Sequence, residues 1–164
     1  MGYTHDQLCD KAVQYLSTTG GFPIVCKEMH STLTEIPDVY AVNRHFSVVI
    51  ECKTTHSDFE RDAKKRFRKY PKEGLGRYRY YFCEPDVIKP EELPKKWGLI
   101  YLYPDQSMRM IVGKVFGHHR YDDKYRFQED YRNECEALYS LVRKAVSWDF
   151  GKNGIWKYRS EDVQ

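Results

Sequence analysis

Along the chain, segments whose apolar residues recur every three to four positions alternate with short runs dense in valine, isoleucine and aromatics. That alternation predicts an α/β fold. Residues 4–16 (THDQLCDKAVQYL) place Leu8, Ala12, Val13, Tyr15 and Leu16 on one helical stripe, with Thr4 and Gln7 spaced as a capping box. Glycines 20 and 21 supply the left-handed exit. Residues 22–29 read as a strand opened by Pro23. Residues 39–42 and 46–50 read as a hairpin about Asn43-Arg44-His45. Residues 58–70 (DFERDAKKRFRKY) predict one helix, N-capped by Ser57, with Phe59, Ala63 and Phe67 as a narrow apolar stripe. After a break at 71–76, residues 77–83 (RYRYYFC) form an aromatic strand, and one helical turn is expected near 90–93. Residues 97–103 and 108–116 form a last pair of strands joined at 104–107. A closing helix is predicted over 127–148, its core face made by Tyr131, Cys135, Leu138, Leu141, Val142, Ala145 and Val146. In the tail, Ile155, Trp156 and Tyr158 could dock on the body. The expectation is a single domain over 1–164, with a core at about 4–116 and a closing helix and tail at about 127–164.

Composition narrows this only in places. A hydrophobic fraction of 41% supports a packed core, and a net charge of +3 says little about partners. Charge distribution says more: Arg61, Lys64, Lys65, Arg66, Arg68, Lys69, Lys72, Arg77 and Arg79 crowd one stretch against Asp62 and Glu73, a local field suited to phosphate. The 5 cysteines are odd in number and scattered, which argues against a disulfide framework or a zinc knuckle. Neither an apolar leader nor an apolar run near the roughly 20 residues of a membrane span is found. The chain reads as soluble and cytoplasmic.

The densest chemistry lies in IPDVYAVNRHFSVVIECKTT, residues 36–55. If the hairpin turns symmetrically about Arg44 and His45, position 42 faces 47, 40 faces 49 and 38 faces 51. The Cβ atoms of Asp38 and Glu51 then lie about 5 Å apart, and Lys53 projects on the face of Glu51. A register slip of one residue would separate the two acids. Such a pair suits a hard divalent cation, which takes oxygen ligands at about 2.0–2.1 Å and commonly only one or two carboxylates. The backbone carbonyl of Cys52 offers a third oxygen, and Lys53 could orient a water or offset charge on a phosphorane. Taken singly, an Asp after Pro is a common turn residue, and a Glu and a Lys flanking a strand end are commonly solvated. The three in register are harder to obtain as decoration.

Pro37-Asp38 followed by Glu51-Cys52-Lys53 at the end of an apolar strand resembles the signature of the PD-(D/E)XK nuclease superfamily. The order of helix, hairpin, helix and strand over about residues 4–83 is similar to that family's core. The resemblance implies a restriction-endonuclease-like fold, a central mixed β-sheet flanked by helices. It also implies a Mg²⁺- or Mn²⁺-dependent endonuclease hydrolysing phosphodiester bonds in DNA, with Asp38 and Glu51 as metal ligands and Lys53 assisting catalysis. The flavour is that of small stand-alone bacterial or phage nucleases of DNA repair and recombination. Many members add an acid from the first helix; here Asp10, Asp6 or, from the next strand, Glu28 would have to serve. Glu35 falls on the opposite strand face from Asp38 by alternation.

Further expectations concern substrate contact. Lys64, Lys65, Arg68 and Lys69 could touch DNA phosphates, or form a solvated face. Arg77 and Arg79, interleaved with Tyr78 and Tyr80, suit stacking on unpaired bases, or plain sheet packing. His56 follows Lys53 closely enough to reach a scissile phosphate. His118, His119, Asp122 and Asp123 fit no common zinc spacing. A homodimer is an expectation by analogy alone. The alternatives are a catalytically silent nuclease-fold module that binds nucleic acid or a protein partner and, less favoured, another hydrolase using the same carboxylates.

Overall fold

The computed structural model describes residues 2–29, 35–113 and 124–153, with side chains followed to residue 145 in the last helix. Positions 118, 119, 122 and 123 and the tail beyond 153 lie outside the described residues. Helix α1 (His5–Ser17) begins with the expected capping box: Gln7 N–H donates to Thr4 Oγ1 (3.3 Å) and Thr4 N–H to Gln7 Oε1 (2.9 Å). Strand β1 (Ile24–Lys27) is shorter than predicted, because Glu28 takes a positive φ of 47° that breaks the extended backbone. β2 (Val39–Val42) and β3 (Ser47–Lys53) form the hairpin in the predicted register, with Tyr40 opposite Val49 and Val42 opposite Ser47. Its turn is fixed by Asn43, whose Oδ1 accepts from the N–H groups of His45 (2.8 Å) and Phe46 (3.0 Å).

The predicted helix over 58–70 is two. α2 (His56–Asp62) is capped by Thr55, not Ser57, and α3 (Arg66–Lys69) follows a break in which Lys65 is extended. Ala63 is exposed, while Phe59 and Phe67 are buried. A 3₁₀ turn (Pro71–Glu73) leads to β4 (Tyr78–Cys83). A second 3₁₀ turn (Pro90–Glu92) leads to β5 (Gly98–Leu102), β6 (Met108–Val112) and α4 (Tyr131–Asn153). The six strands form one mixed sheet whose spatial order follows chain order. β1–β2–β3 and β5–β6 pair antiparallel, while β3–β4 and β4–β5 are parallel and need the intervening crossovers.

Strand alternation divides the core between the two faces. α1 covers one, packing Leu8, Ala12 and Leu16 on Val48, Ile50, Tyr80 and Phe82. The other holds Tyr81, Leu99 and Trp97 with Phe59 and Phe127, and Tyr40, Val49 and Leu75 with Ala137 of α4. α4 is rotated relative to expectation. Tyr131, Cys135, Leu138, Val142 and Ala145 are exposed, and of the predicted core face only Leu141 packs on the core among the described side chains. Polar anchors set that rotation: Glu134 accepts from Tyr40 Oη (2.6 Å), Ser47 Oγ (3.0 Å) and Gly76 N–H (2.7 Å), and Asn133 Nδ2 donates to Glu73 O (2.7 Å). All five cysteines are free thiols, those of Cys9, Cys52 and Cys83 being buried.

β4 and β5 meet where Tyr80 lies across Gly98. A Cβ on Gly98 would stand 2.2 Å from Tyr80 Cδ1 and 2.8 Å from Val112 O. Gly98→Ala is therefore expected to overpack the sheet by about 1–3 kcal/mol or more. A thermal melt checks this, and an unchanged midpoint would contradict the packing described.

Candidate metal and phosphate site

The hairpin pairs end with Val39 opposite Ile50, and the same register carried one residue further puts Asp38 across from Glu51. Asp38 is fixed by the backbone: Cys52 N–H donates to its Oδ2 at 2.7 Å. The same oxygen lies 3.3 Å from His5 Nε2 on α1. His5 in turn sits 3.7 Å, through Nδ1, from Cys9 Sγ one turn along. Where an acid is expected from the first helix, the structure brings the His5 imidazole instead, from a position in the helix's first turn. Asp10 and Asp6 do not join the pair. Both are exposed and held by Lys27 Nζ, at 2.8 and 3.0 Å. Glu28 is exposed on its left-handed backbone.

Glu51 and Lys53 point away from α1, into a cluster that α2, α3 and the linker between them supply. Glu51 is 1% exposed. Its Oε2 receives Lys53 Nζ at 3.1 Å and Lys65 Nζ at 3.2 Å. Its Oε1 lies 3.3 Å from Arg68 Nη2 but has no hydrogen-bond partner among the described residues. Asp62 is the second acid of the cluster. It accepts from Arg68 Nε (2.6 Å) and Nη2 (3.3 Å) and from Tyr81 Oη (2.7 Å), with Lys65 Nζ at 2.8 Å and Lys53 Nζ at 3.3 Å. Arg68 also reaches Glu35 Oε1 at 2.8 Å and stacks 4.5 Å over the Trp97 ring. Glu35, placed by alternation away from Asp38, is thus tied into the same network, its Oε2 accepting from Leu75 N–H at 2.7 Å.

The two acids respond differently to these cations. Burial pushes the Glu51 carboxyl above its ordinary range; Arg68, Lys53 and Lys65 pull it back only partly, and Asp38 adds to the rise. Burial also opposes the charge on Asp62, but direct bonds from Arg68, the field of Lys53 and the bond from Lys65 hold it well below the usual carboxylate range. Burial disfavours the Lys53 ammonium, yet Glu51 and Asp62 outweigh it and raise its pKa.

The expected DNA contacts divide. Lys64 and Lys69, next in sequence to Lys65 and Arg68, are exposed. The Arg68 side chain is 4% exposed and spent on three carboxylates, at odds with a phosphate contact. Arg79 is 1% exposed, donates to the carbonyls of Gly76 and Pro71, lies against Phe127, and has its pKa pulled by burial down to about 10. Position 79 faces the covered side of the sheet, so it offers no surface for a base. Arg77 pairs with Glu129 and lines a cleft of about 830 Å³ at the other end of β3, with Arg44, Lys96, Arg126, Phe46 and Tyr131. His56 is exposed and pairs with Glu92 at 2.9 Å.

Among the described residues, no group of three or more His, Cys, Asp or Glu could by itself hold a metal ion. A complete protein cage is therefore not formed among the described residues. Mg²⁺ does not require one, since one or two carboxylates with water and substrate oxygens suffice. Asp38 and Glu51 are the two carboxylates the hairpin offers for that sparser demand; the Asp38 carboxylate is engaged by Cys52 N–H, and Glu51 Oε1 accepts no hydrogen bond among the described residues.

No helix among the described residues is long and apolar enough to cross a membrane. No protein-family profile matches the sequence, and no curated protein matches it. Among solved structures, the chain is similar to a protein of unknown function from Silicibacter pomeroyi, at a TM-score of 0.63 and 16% identity over 97% of this chain and 100% of that one, a likeness that shows a shared α/β fold and nothing of activity.

Proposed function

We propose that the protein is a divalent-metal-dependent phosphodiesterase acting on DNA, with a restriction-endonuclease-like core. The observation that carries the reading is the hairpin register, which extended one step past Val39 and Ile50 puts Asp38 across from Glu51, with two ammoniums on one Glu51 oxygen and only the Arg68 guanidinium, not hydrogen-bonded, beside the other. The order of elements from α1 to β4 supports it, as does the similarity of residues 37–53 to the PD-(D/E)XK signature. A Mg²⁺ or Mn²⁺ ion held by Asp38, Glu51 and the Cys52 carbonyl would supply a Lewis acid for a bound water and for the phosphoryl oxygens. The chain's own part is positional and electrostatic. Cys52 N–H locks the Asp38 carboxylate, Lys53 and Lys65 offset negative charge beside Glu51, and Lys64 and Lys69 draw the backbone in.

The test is incubation with labelled linear, nicked, flapped and junction DNA. Cleavage or nicking is expected in Mg²⁺ or Mn²⁺ and none in EDTA. Folded, metal-supplied protein that leaves this panel and RNA intact would sink the reading. The near-complete burial of Glu51 among three cations favours a second one, a silent module that holds nucleic acid or a protein partner. Binding that needs no metal and survives Asp38→Ala, without turnover, would select it.

A further inference from the structure

Two ammoniums bridge the same pair of carboxylate oxygens. Lys53 Nζ lies 3.1 Å from Glu51 Oε2 and 3.3 Å from Asp62 Oδ1; Lys65 Nζ lies 3.2 Å and 2.8 Å from those same atoms. In charge and partners the two are equivalent. They differ in access: the Lys53 side chain is 5% exposed, that of Lys65 48%. We propose that Lys65, rather than Lys53 of the signature, is the ammonium that meets the substrate phosphate, and that Lys53 is a fixed counter-ion. This rests on the phosphodiesterase reading above.

Lys53 ends β3 beyond the last β2–β3 pair, Val39 with Ile50, and its partner across the parallel ladder to β4 is Cys83. Its stem is enclosed, so its charge cannot leave the two carboxylates without opening the sheet. Lys65 sits in the extended break between α2 and α3, where only its tip is engaged. Rotation about its side chain swings the ammonium from Asp62 to an incoming anion. Asp62 tolerates the loss, because Arg68, Tyr81 and Lys53 still hold it. Lys64 and Lys69, exposed and next to Lys65 and Arg68 in sequence, add positive charge to the same segment. The break after Asp62 thus gives the site a mobile cation beside a rigid one.

The experiment uses the full chain and a labelled flapped DNA duplex. Lys65 should react with an amine-acetylating reagent in the free protein and be shielded by saturating DNA, while Lys53 reacts in neither. Lys65→Gln should slow single-turnover cleavage in Mn²⁺ by about 100-fold, with the melting midpoint within about 2 °C of wild type. Lys65→Arg should recover most of the rate, and Lys53→Gln should lower the midpoint. Wild-type-like cleavage by Lys65→Gln, or a Lys65 that stays reactive on bound DNA, overturns the inference. Shielded Lys65 without any cleavage overturns the nuclease reading and leaves the contact standing. Failure of the wild type to bind DNA overturns both.

Discussion

Asp62→Ala is expected to lower the melting midpoint by about 10 °C, the largest loss of stability foreseen for a single substitution in this molecule. The carboxylate is enclosed and takes Arg68 in a two-pronged grip, the Tyr81 hydroxyl and the ammoniums of Lys53 and Lys65. Removing it leaves those groups facing one another around a void. Breaking a buried ion pair from one side costs about 3–5 kcal/mol, and each kcal/mol moves the midpoint of a domain this size by about 2–4 °C. Asp62→Asn, which keeps the shape and an acceptor for Tyr81, should lose less. The acid limb of stability carries the same signature. The folded pKa of Asp62 is depressed, so its contribution is complete above the unfolded value of about 3.9 and drains away as pH falls below it. Glu51, whose folded pKa is raised, has the opposite sign, its contribution fading as pH rises. Asp62→Asn should therefore flatten the acid limb. Melts of wild type and both variants between pH 3 and 7 decide the matter, and an unchanged midpoint for Asp62→Ala would refute the network as described.

Glu51→Gln should do the reverse: abolish Mn²⁺-dependent cleavage, by about 10³-fold or more, with a smaller change in the melt than Asp62→Ala. Outer-sphere partners of a metal are worth about 10–100-fold, and a direct ligand exceeds that. The fold tolerates the change because burial already works against the Glu51 charge, and Lys53, Lys65 and Arg68 keep Asp62 while Arg68 also keeps Glu35. Cleavage and melting measured on one preparation separate the two effects. A Glu51→Gln protein that cuts DNA at the wild-type rate removes Glu51 from the reaction.

The hairpin was legible because its determinants are local. Strand alternation sets the faces, Asn43 sets the turn, and together they fix Asp38 opposite Glu51. The capping box of α1 is equally local. Asp62, and the place of Lys65 beside Glu51, were hidden because Phe59, Ala63 and Phe67 imitate one continuous helix. The break after Asp62 instead turns Lys65 and Arg68 toward the sheet, and that depends on contacts with Glu35, Glu51 and Trp97 distant in sequence. The fate of Arg79 turned on Phe127, far along the chain, covering its face. For α4 the apolar stripe misled, since the hydrogen bonds of Glu134 and Asn133 outrank it in fixing the helix's rotation.

Because the strands lie in space in the order they occur in the chain, the sheet can be laid down from one edge during synthesis, each strand pairing with the one just made. No formed pair has to part to admit a later strand. The ordering leaves one awkward interval. Glu51 emerges before Asp62, Lys65 and Arg68, so a nascent β1–β3 meander carries an acid on a face destined for burial before the cations that will accompany it exist. Until the crossover to β4 is complete that face stays wet, and its closure is tied to the arrival of the very side chains that give the site its charge.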